Sequence, residues 1–328
     1  MTEFSIIIPA YNVYDYLEQC VVSVVGQIFN DNLYEVIIVN DGSTDDTGTL
    51  ADKLSQKYSN VITIHKENGG TSSARNTGIE RATGKYLLFL DGDDFWTDND
   101  FLDQLSKIIN QRQIDLVIYP YSLYYNDSKI TKLTYDYRSS SNDFRTEFFD
   151  LMKLNILSNP TWNKCVRREL FTKDLLFIEG ISYEDMPWNI DLYKKVKTYS
   201  ILNNPQLMYR QNREGSTTNS ISKTNIKDML DGLELTLKTV SSFNDDFQEK
   251  ILSYHCYNYI IILPYLAPYL DDKNIYQQAK SLSDLLKYRR YIGDISFRVT
   301  GNIVSMFGVR LGSKILSKLL PLYKKIKG

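Results

Sequence analysis

The chain has 328 residues, of which 43% are hydrophobic and 24% charged, and its net charge is only −2. This balance is typical of a folded globular protein and argues against an intrinsically disordered one. Three scattered cysteines without a CxxC pair, Cys20, Cys165 and Cys256, argue against a disulfide framework and indicate reduced thiols in a cytoplasmic protein.

Residues 1 to about 120 alternate strand-like and helix-like patterns. Short apolar runs fit strands that are buried on both faces, and apolar residues at a spacing of three to four fit helices. The pattern predicts strands at 4–9, 35–39, 61–65, 86–90 and 116–119, and helices at 14–27, 43–58, 72–82 and 100–111. This succession predicts an α/β fold with a mostly parallel sheet, helices on both faces, and ligands at the carboxyl ends of the strands.

The alternation weakens after residue 121. A hairpin at 124–134 and a helix at 143–157 are predicted, and the polar and aromatic residues of 159–220 indicate loops and short elements. The pattern becomes helical from residue 225 onward. We therefore predict a Rossmann-like α/β domain at 1–221 and a helical C-terminal region at 222–328.

The C-terminal tail is strongly basic. From Lys287 onward ten basic residues accompany one acid, Asp294, so the tail carries +9 and the remainder −11. Ile303, Phe307, Leu311 and other apolar residues of 303–322 fall largely on one helical face, which predicts an interfacial helix on an anionic membrane. A packing helix, a homo-oligomer interface and RNA binding are the alternatives, and we expect no nucleic-acid partner.

No segment is expected to cross a membrane. The N-terminus lacks the basic region of a signal peptide, and the longest apolar stretch, at 259–270, falls short of the roughly 20 residues that a span needs. The expected location is cytoplasmic and peripheral at the inner face of the cell membrane.

Three acids, Asp91, Asp93 and Asp94, follow the predicted strand at 86–90. Carboxylates so close together repel one another, and a divalent cation would neutralise them. Oxygen ligands favour Mg²⁺ or Mn²⁺. The alternative is an acidic turn in which Gly92 supplies the bend.

Five motifs resemble those of the family 2 glycosyltransferases in order and spacing. They are SIIIPAYN at 5–12, VNDGSTD at 39–45, NGGTSSARN at 68–76, LFLDGDD at 88–94 and YED at 183–185. The resemblance extends from residue 4 to about 220. It implies a GT-A-type fold, a nucleotide-diphosphate-sugar donor and a divalent metal.

The resemblance also implies donor-binding residues. Pro9 and Tyr11 follow the first strand, where the family's nucleotide base rests, although Pro9 could simply end the strand. Asp41 ends the second strand, where its carboxylate can accept the uracil N3–H and so favour a UDP-sugar; capping of the next helix is its alternative. Asn68 lies in a glycine-containing loop, and Arg75 binds donor phosphate or orients Asp91.

Further residues are expected around the sugar and the diphosphate. By resemblance, Trp162 and Asn163 line the sugar side, with core packing as the alternative for Trp162. Arg210 and Arg213 are expected to clamp the diphosphate, and Ser216 to donate a hydrogen bond. Either arginine alone could equally be a surface residue.

The acids receive separate roles. Asp91 is expected at the ribose or sugar hydroxyls, and Asp93 is expected to bind the metal that bridges the phosphates, with Asp91 beside it. By resemblance Asp185 is the catalytic base and Glu184 lies near the acceptor or braces the loop. The reverse assignment and a solvated acidic turn are the alternatives.

These expectations combine into one function. We predict an inverting, metal-dependent hexosyl- or N-acetylhexosaminyltransferase that moves a sugar from a UDP-sugar to a hydroxyl of a lipid-linked glycan or cell-surface polymer, of the capsule, exopolysaccharide or teichoic acid type. A non-catalytic sugar-nucleotide-binding or scaffold protein is the alternative from another class, and a nucleotidyltransferase is a weaker one. The absence of GxGxxG after the first strand disfavours a dehydrogenase.

Overall fold

The computed structural model describes residues 2–213, 221–240 and 246–327. The chain divides into two compact units, and the second contains two segments from within 1–221, the range predicted for the first domain. The first unit comprises Met1–Phe144, Pro160–Gly180 and Lys195–Ser216, and the second comprises Arg145–Asn159, Ile181–Lys194 and Thr217–Gly328.

Eleven strands form two sheets within the described residues. The strands are β1 (Phe4–Ala10), β2 (Tyr34–Asp41), β3 (Val61–Lys66), β4 (Tyr86–Phe89), β5 (Phe95–Trp96), β6 (Leu116–Ile118), β7 (Tyr121–Asn126), β8 (Lys129–Lys132), β9 (Lys164–Arg167), β10 (Tyr199–Ile201) and β11 (Leu207–Arg210). The larger sheet has the order β10-β6-β9-β4-β1-β2-β3, and the smaller has the order β5-β11-β7-β8.

The larger sheet is parallel except for β9, which runs antiparallel to β4 and β6. Consecutive residues of β1, Ile6, Ile7 and Ile8, are all fully buried although their side chains alternate between the two faces. Both faces are therefore covered, as expected for a parallel sheet with flanking helices. The predicted α/β fold is confirmed.

The helices of the first unit lie between the predicted strands. They are α1 (Tyr14–Val25), α2 (Thr47–Lys57), α3 (Gly70–Arg81) and α4 (Phe101–Gln111). Helix α3 packs on β1 and β2, and α2 packs on β3. The chain leaves β3 at one edge and returns through α3 to β4 on the other side of β1. This reversal opens a crevice at the carboxyl ends of β1 and β4, where open α/β sheets bind ligands.

The second unit is helical. Its elements include most of α5 (Phe144–Lys153) and α6 (Asp185–Lys195), followed by α7 (Lys223–Val240), α8 (Phe247–Ile262), α9 (Lys273–Ser281), a 3₁₀ segment (Leu282–Tyr291) and α10 (Ile295–Lys327). Aromatic rings join these helices, with Phe148 edge-on to Phe247 and Tyr193 edge-on to Tyr254. No helix within the described ranges is long and apolar enough to cross a bilayer.

A fully buried histidine joins α7 and α8. His255 Nδ1 lies 2.9 Å from the carbonyl oxygen of Ile251, so Nδ1 carries the proton, and Nε2 lies 3.1 Å from the Thr236 hydroxyl. Burial lowers the pKa of His255 from its ordinary value to about 4, because the charged ring would lose its hydration. The folded protein therefore holds this ring neutral at neutral pH.

The lowered pKa predicts acid sensitivity. Below about pH 6.5 the unfolded chain protonates His255 while the folded chain does not, so this contribution to stability is present above that pH and declines toward pH 4. Between pH 7 and pH 5 it should lower the free energy of unfolding by about 2 kcal/mol. Urea unfolding at both pH values, compared between wild type and His255→Gln, measures it. Equal pH dependence of the two proteins would contradict the prediction.

Candidate active site

The site is built at the carboxyl ends of β1, β2 and β4. The turn after β4 lies directly against the end of β1, because a Cβ on Gly92 would come within 3.1 Å of the Pro9 carbonyl oxygen. Only a glycine fits this approach without displacement of the neighbouring backbone. The acidic turn is thereby held at the crevice between β1 and β4.

The carboxylate of Asp41 organises the loop between β3 and α3. Asp41 is 2% exposed. Its Oδ1 accepts from Lys66 Nζ at 2.7 Å and from Gly69 N at 3.0 Å, and its Oδ2 accepts from Gly70 N at 2.8 Å. Asn68 Nδ2 donates to the Asp41 carbonyl oxygen at 3.0 Å. The predicted contact of Asp41 with uracil stays a prediction, and the observed role of the carboxylate is to fix the glycine loop.

Arg75 contacts the first acid of the turn. Its Nη2 lies 2.9 Å from Asp91 Oδ1, and its guanidinium lies 5.2 Å from the centre of the Phe177 ring. Arg75 is buried while Asp91 is partly exposed. Arg75 was expected either to bind donor phosphate or to orient Asp91. The ion pair with Asp91 matches the second role.

Arg210 and Arg213 contact the same acidic turn in different ways. Arg210 in β11 donates from its backbone N to Asp94 Oδ1 at 2.8 Å and from Nε to the Asp93 carbonyl oxygen at 2.8 Å. Its guanidinium also donates to Gln19 and stacks within 5.4 Å of the rings of Tyr16, Phe95 and Tyr124. Through these contacts Arg210 holds the acidic turn in place.

Arg213 instead forms an ion pair with the predicted metal ligand. Its Nε lies 2.7 Å from Asp93 Oδ2, and both side chains are about one fifth exposed. A partly exposed ion pair of this kind can exchange partners at modest cost. The two arginines, expected as equivalent clamps, thus have different surroundings.

The pKa values of two acids in this turn are raised despite these arginines. Burial raises the pKa of Asp93, and the charge of Asp91 raises it further, although Arg213 and Arg210 lower it. Burial raises the pKa of Asp94 well above its ordinary value, with Asp93 and Asp91 adding to the effect. The nearby Cys20 thiol donates to the Asp91 carbonyl oxygen. Its burial raises its pKa well above the ordinary value, and the charges of the three acids raise it further.

This arrangement fits a divalent cation shared with a ligand. In the part of the chain that is described, no group of three or more His, Cys, Asp or Glu side chains forms an all-protein metal site. Magnesium typically uses one or two carboxylates together with substrate phosphates. Asp91 and Asp93 supply carboxylate oxygens on one turn, which suits that mode of binding.

The predicted sugar-side residues are buried. The Trp162 indole is 5% exposed and packs edge-on to Tyr121 at 4.7 Å and against Tyr209 at 5.1 Å. Asn163 is fully buried, and its side-chain oxygen accepts from Lys164 Nζ at 2.8 Å. These contacts match the core-packing alternative for Trp162, and a sugar contact of either residue stays a prediction.

The remaining predicted donor residues differ in what the structure shows. Pro9 lies within β1, paired in register with Val39 of β2, and the ring of Tyr11 is 47% exposed just beyond the strand. An exposed ring at the crevice is available for stacking on a base. Ser216 lies outside the described residues.

The predicted base belongs to the second unit. Asp185 begins α6, directly after Glu184 and after Tyr183, whose φ of +60° is unusual for a bulky residue. The Asn189 side chain donates to the backbone carbonyl oxygens of Asp185 and Asn159. Asn159 in turn accepts from the Tyr254 hydroxyl and donates to Asn258. This amide network ties the start of α6 to α8.

Several residues of the site were not anticipated from the sequence. Lys66 gave a usable signal, because it is a charged residue at the carboxyl end of a strand, beside Asp41. Tyr16, Gln19 and Phe177 gave none, since their contacts with Arg210 and Arg75 depend on packing between segments far apart in the chain.

The comparisons with known proteins identify the family of the chain. A model described as glycosyl transferase family 2 matches residues 5–175, just over half of the chain. The chain belongs to this family. The resemblance inferred from the five motifs is confirmed.

Two curated relatives come from Bacillus subtilis. The uncharacterized glycosyltransferase EpsJ is 32% identical over 233 residues, which cover 65% of this chain and 62% of EpsJ. The minor teichoic acid biosynthesis protein GgaB is 28% identical over 228 residues, which cover 68% of this chain and 24% of GgaB. The chain therefore spans less than two thirds of the length of either relative.

The fold is shared with a solved structure. The crystal structure of Staphylococcus aureus TarS 1–349 matches with a TM-score of 0.70 and 18% identity, covering 98% of this chain and 92% of that one. The complex of TarS 1–349 with UDP-GlcNAc matches with a TM-score of 0.65. The similarity confirms the GT-A-type fold and the helical region that follows it.

The contacts of Asp41 predict a structural penalty that is independent of any nucleotide. Asp41→Asn would lose the ion pair with Lys66 and turn an amide group toward the N–H donors of Gly69 and Gly70. Because this carboxylate is buried, the free energy of unfolding should fall by about 2 to 4 kcal/mol. Urea unfolding without ligand measures the change. Asp52→Asn, which removes an exposed partner of His65, is the control and should cost less than about 1 kcal/mol; an equal loss in both variants would contradict the structural role.

Proposed function

We propose that this chain is an inverting, metal-dependent glycosyltransferase that moves a sugar from a UDP-sugar to a hydroxyl group of a glycan or cell-surface polymer. The observation that carries the proposal is the acidic turn at the carboxyl end of β4, with Arg75 and Arg213 paired to its carboxylates, in a chain of glycosyl transferase family 2. Carboxylates and a diphosphate repel each other, so this turn suits a diphosphate only when a cation lies between them.

The uridine end of the donor would lie at the ends of β1 and β2. Tyr11 offers an exposed ring for the base, and Asp41 holds the loop of Asn68 within reach of the nucleotide. The assignment to uridine rests on the resemblance and gains support from TarS, whose structure was determined with UDP-GlcNAc. The transferred sugar is proposed to be a hexosyl or N-acetylhexosaminyl group.

Asp93 and Asp91 would hold the metal, which is Mn²⁺ or Mg²⁺. When bound, such a cation stabilises the negative charge that builds on the departing diphosphate. The residues of this chain fix the site for it: Arg210 holds the backbone of the turn, and Arg75 orients Asp91. Arg213, whose side chain pairs with Asp93 and is partly exposed, would be the arginine available to the phosphate oxygens.

Asp185 would act as the general base, with Glu184 near the acceptor. The acceptor oxygen bonds to the anomeric carbon as the bond from that carbon to the β-phosphate oxygen breaks. The hydroxyl proton passes to the Asp185 carboxylate, and the electron pair of the broken bond leaves with UDP. One displacement of this kind inverts the anomeric centre, so an α-linked donor gives a β-linked product. A positioned carboxylate contributes on the order of 10²- to 10⁴-fold to the rate.

The acceptor class follows from the relatives. GgaB is named for minor teichoic acid biosynthesis, which supports a cell-surface polymer, or a lipid-linked precursor of one, as the acceptor. The capsule, exopolysaccharide and teichoic acid classes all offer hydroxyl groups of the required kind.

The decisive experiment measures UDP release from a panel of UDP-sugars with Mn²⁺ or Mg²⁺ and a lipid-glycan extract. Asp185→Asn should lower kcat by 10²-fold or more and leave UDP binding unchanged, because the base acts only on the acceptor. Asp93→Asn should lower both kcat and the metal-dependent part of UDP affinity. Asp103→Asn, an exposed carboxylate on α4, is the matched control and should behave as wild type.

Two results would contradict the proposal. The first is the absence of binding or turnover of any UDP-sugar by the wild type, which favours the scaffold alternative. The second is full activity of Asp185→Asn. That result would contradict the assignment of Asp185 as the base but would not contradict the transfer reaction.

The Arg213 ion pair predicts competition with the metal. Arg213→Met removes the cation that pairs with Asp93, so binding of Mn²⁺ to the ligand-free protein should tighten about 3- to 10-fold, as measured by electron paramagnetic resonance of free Mn²⁺. Arg298→Met removes an exposed arginine elsewhere and should have no effect.

The double variant Asp93→Asn with Arg213→Met tests the mechanism of that change. It should lose the gain, because the carboxylate for which the arginine and the metal compete is absent. Unchanged Mn²⁺ affinity in Arg213→Met would show that the guanidinium does not occupy the metal position.

A further inference from the structure

Helix α10 exposes an unusual number of large apolar side chains. Six of the fourteen exposed large hydrophobic residues in the described part of the chain lie between residues 295 and 319. Met306 is 76% exposed and Ile295 68%. The others are Val299, Phe307, Leu311 and Leu319. Such a concentration marks an interaction surface, whereas single exposed apolar residues do not.

The charges of the same helix all have one sign. Residues 295–327 contain seven basic residues and no acid. Arg310 is partly offset by Asp271, at 3.1 Å. Lys314 and Lys318, one helical turn apart, are exposed and form no ion pair with any described residue. The helix therefore carries an uncompensated positive charge.

The basic and apolar side chains share one face of the second half of α10. Gly308, with φ of +72°, breaks the helix, and beyond it Val309, Gly312, Ser313 and Leu316 are buried. By helical spacing, Leu311, Lys314, Lys318 and Leu319 lie on the opposite, exposed face. We define these four residues as the exposed α10 face. The sequence pattern placed Val304 on the outer face with Phe307, but Val304 is buried, because the break at Gly308 folds Gly312 against it.

We propose that the exposed α10 face, together with Met306 and Phe307, docks on an anionic lipid bilayer. Apolar side chains flanked by lysines and free of acids match the interfacial region of such a membrane, where the apolar groups enter the acyl boundary and the ammonium groups reach the lipid phosphates. A protein partner would need acidic side chains placed opposite Lys314 and Lys318 and an apolar patch beside them, whereas an anionic bilayer supplies both over its whole surface. A nucleic acid would leave Met306 and Leu311 without an apolar environment.

The membrane surface is independent of the proposed transfer reaction. It would hold the protein where lipid-linked acceptors are found, but its test needs no donor, metal or acceptor. Failure of the enzymatic proposal and failure of the membrane proposal are therefore distinguishable.

The test is cosedimentation of the full chain with vesicles. Vesicles of phosphatidylcholine with 30 to 40 mol% phosphatidylglycerol, about the content of an anionic bilayer, should bind the protein, and pure phosphatidylcholine vesicles should bind it much less. Lys314→Gln with Lys318→Gln should weaken binding about 20-fold, since each basic residue contributes about five-fold. Met306→Gln with Leu311→Gln should weaken binding at least five-fold and leave its salt dependence unchanged.

Matched controls separate the surface from general charge and polarity. Lys53→Gln with Lys57→Gln removes two exposed lysines at the same spacing on α2, and Leu235→Gln adds a polar group at an exposed leucine of α7. Both should bind vesicles as wild type does. Equal weakening by the α2 pair, or no vesicle binding by the wild type, would overturn the proposal. Self-association that is lost in Leu311→Gln, without vesicle binding, would assign the face to a second copy of the chain.

Discussion

The structure of the first unit depends on the repulsion between three carboxylates at the end of β4. The strand itself is buried on both faces, so its acids lie where hydration is reduced, and like charges at short distance are costly there. The chain meets this cost with arginines from distant positions, Arg75 from α3 and Arg210 and Arg213 from the end of β11. The backbone N–H of Arg210 also satisfies Asp94, the most buried of the three acids.

This compensation explains the smaller sheet. Strand β5 directly follows the acidic turn and pairs with β11, which brings residue 210 beside residue 94 across more than a hundred positions of sequence. The pairing of β11 with β7 then extends the sheet and brings Tyr209 and Tyr121 onto Trp162. Trp162, which the resemblance places on the sugar side, thus packs against β11, the strand that carries Arg210.

The sequence predicted the large-scale fold because its strands carry local signals. Apolar runs such as that of β1, the helical spacing of α4 and the polar residues at strand ends are readable without knowledge of tertiary structure. Strand β9 was not predicted, since it is a four-residue segment with a buried lysine, Lys164, and no alternation. Strands β5, β10 and β11 are also short, with two, three and four residues. Their pairing comes from long-range contacts that no periodicity reveals.

The site shows the same division between local and long-range information. Asp41, Asp91 and Asp93 could be chosen because each lies at the end of a predicted strand and within a motif that resembles those of the family, but their partners could not. Arg210 donates to Gln19 and to the Asp93 backbone and lies over three rings, whereas Arg213 pairs with the Asp93 carboxylate and lies 5.9 Å from the centre of the Tyr16 ring. This difference exists only in the folded chain. Arg210 and Arg213 are residues of the same type in one polar segment. The sequence therefore does not indicate which of them holds the acidic turn in place.

The two units position their acids by different physical means. In the first unit, charged arginines contact the acidic turn, which suits the proposed binding of a diphosphate and its counter-ion. In the second, neutral groups contribute to holding the start of α6: Asn189 donates to the Asp185 backbone, and the Tyr254 hydroxyl donates to Asn159. A cation in that supporting position would lower the pKa of a nearby carboxylate and weaken it as a base, whereas a neutral amide bonded to the backbone holds the helix without that penalty. If Asp185 removes the acceptor proton, an amide support is therefore the one that preserves its basicity.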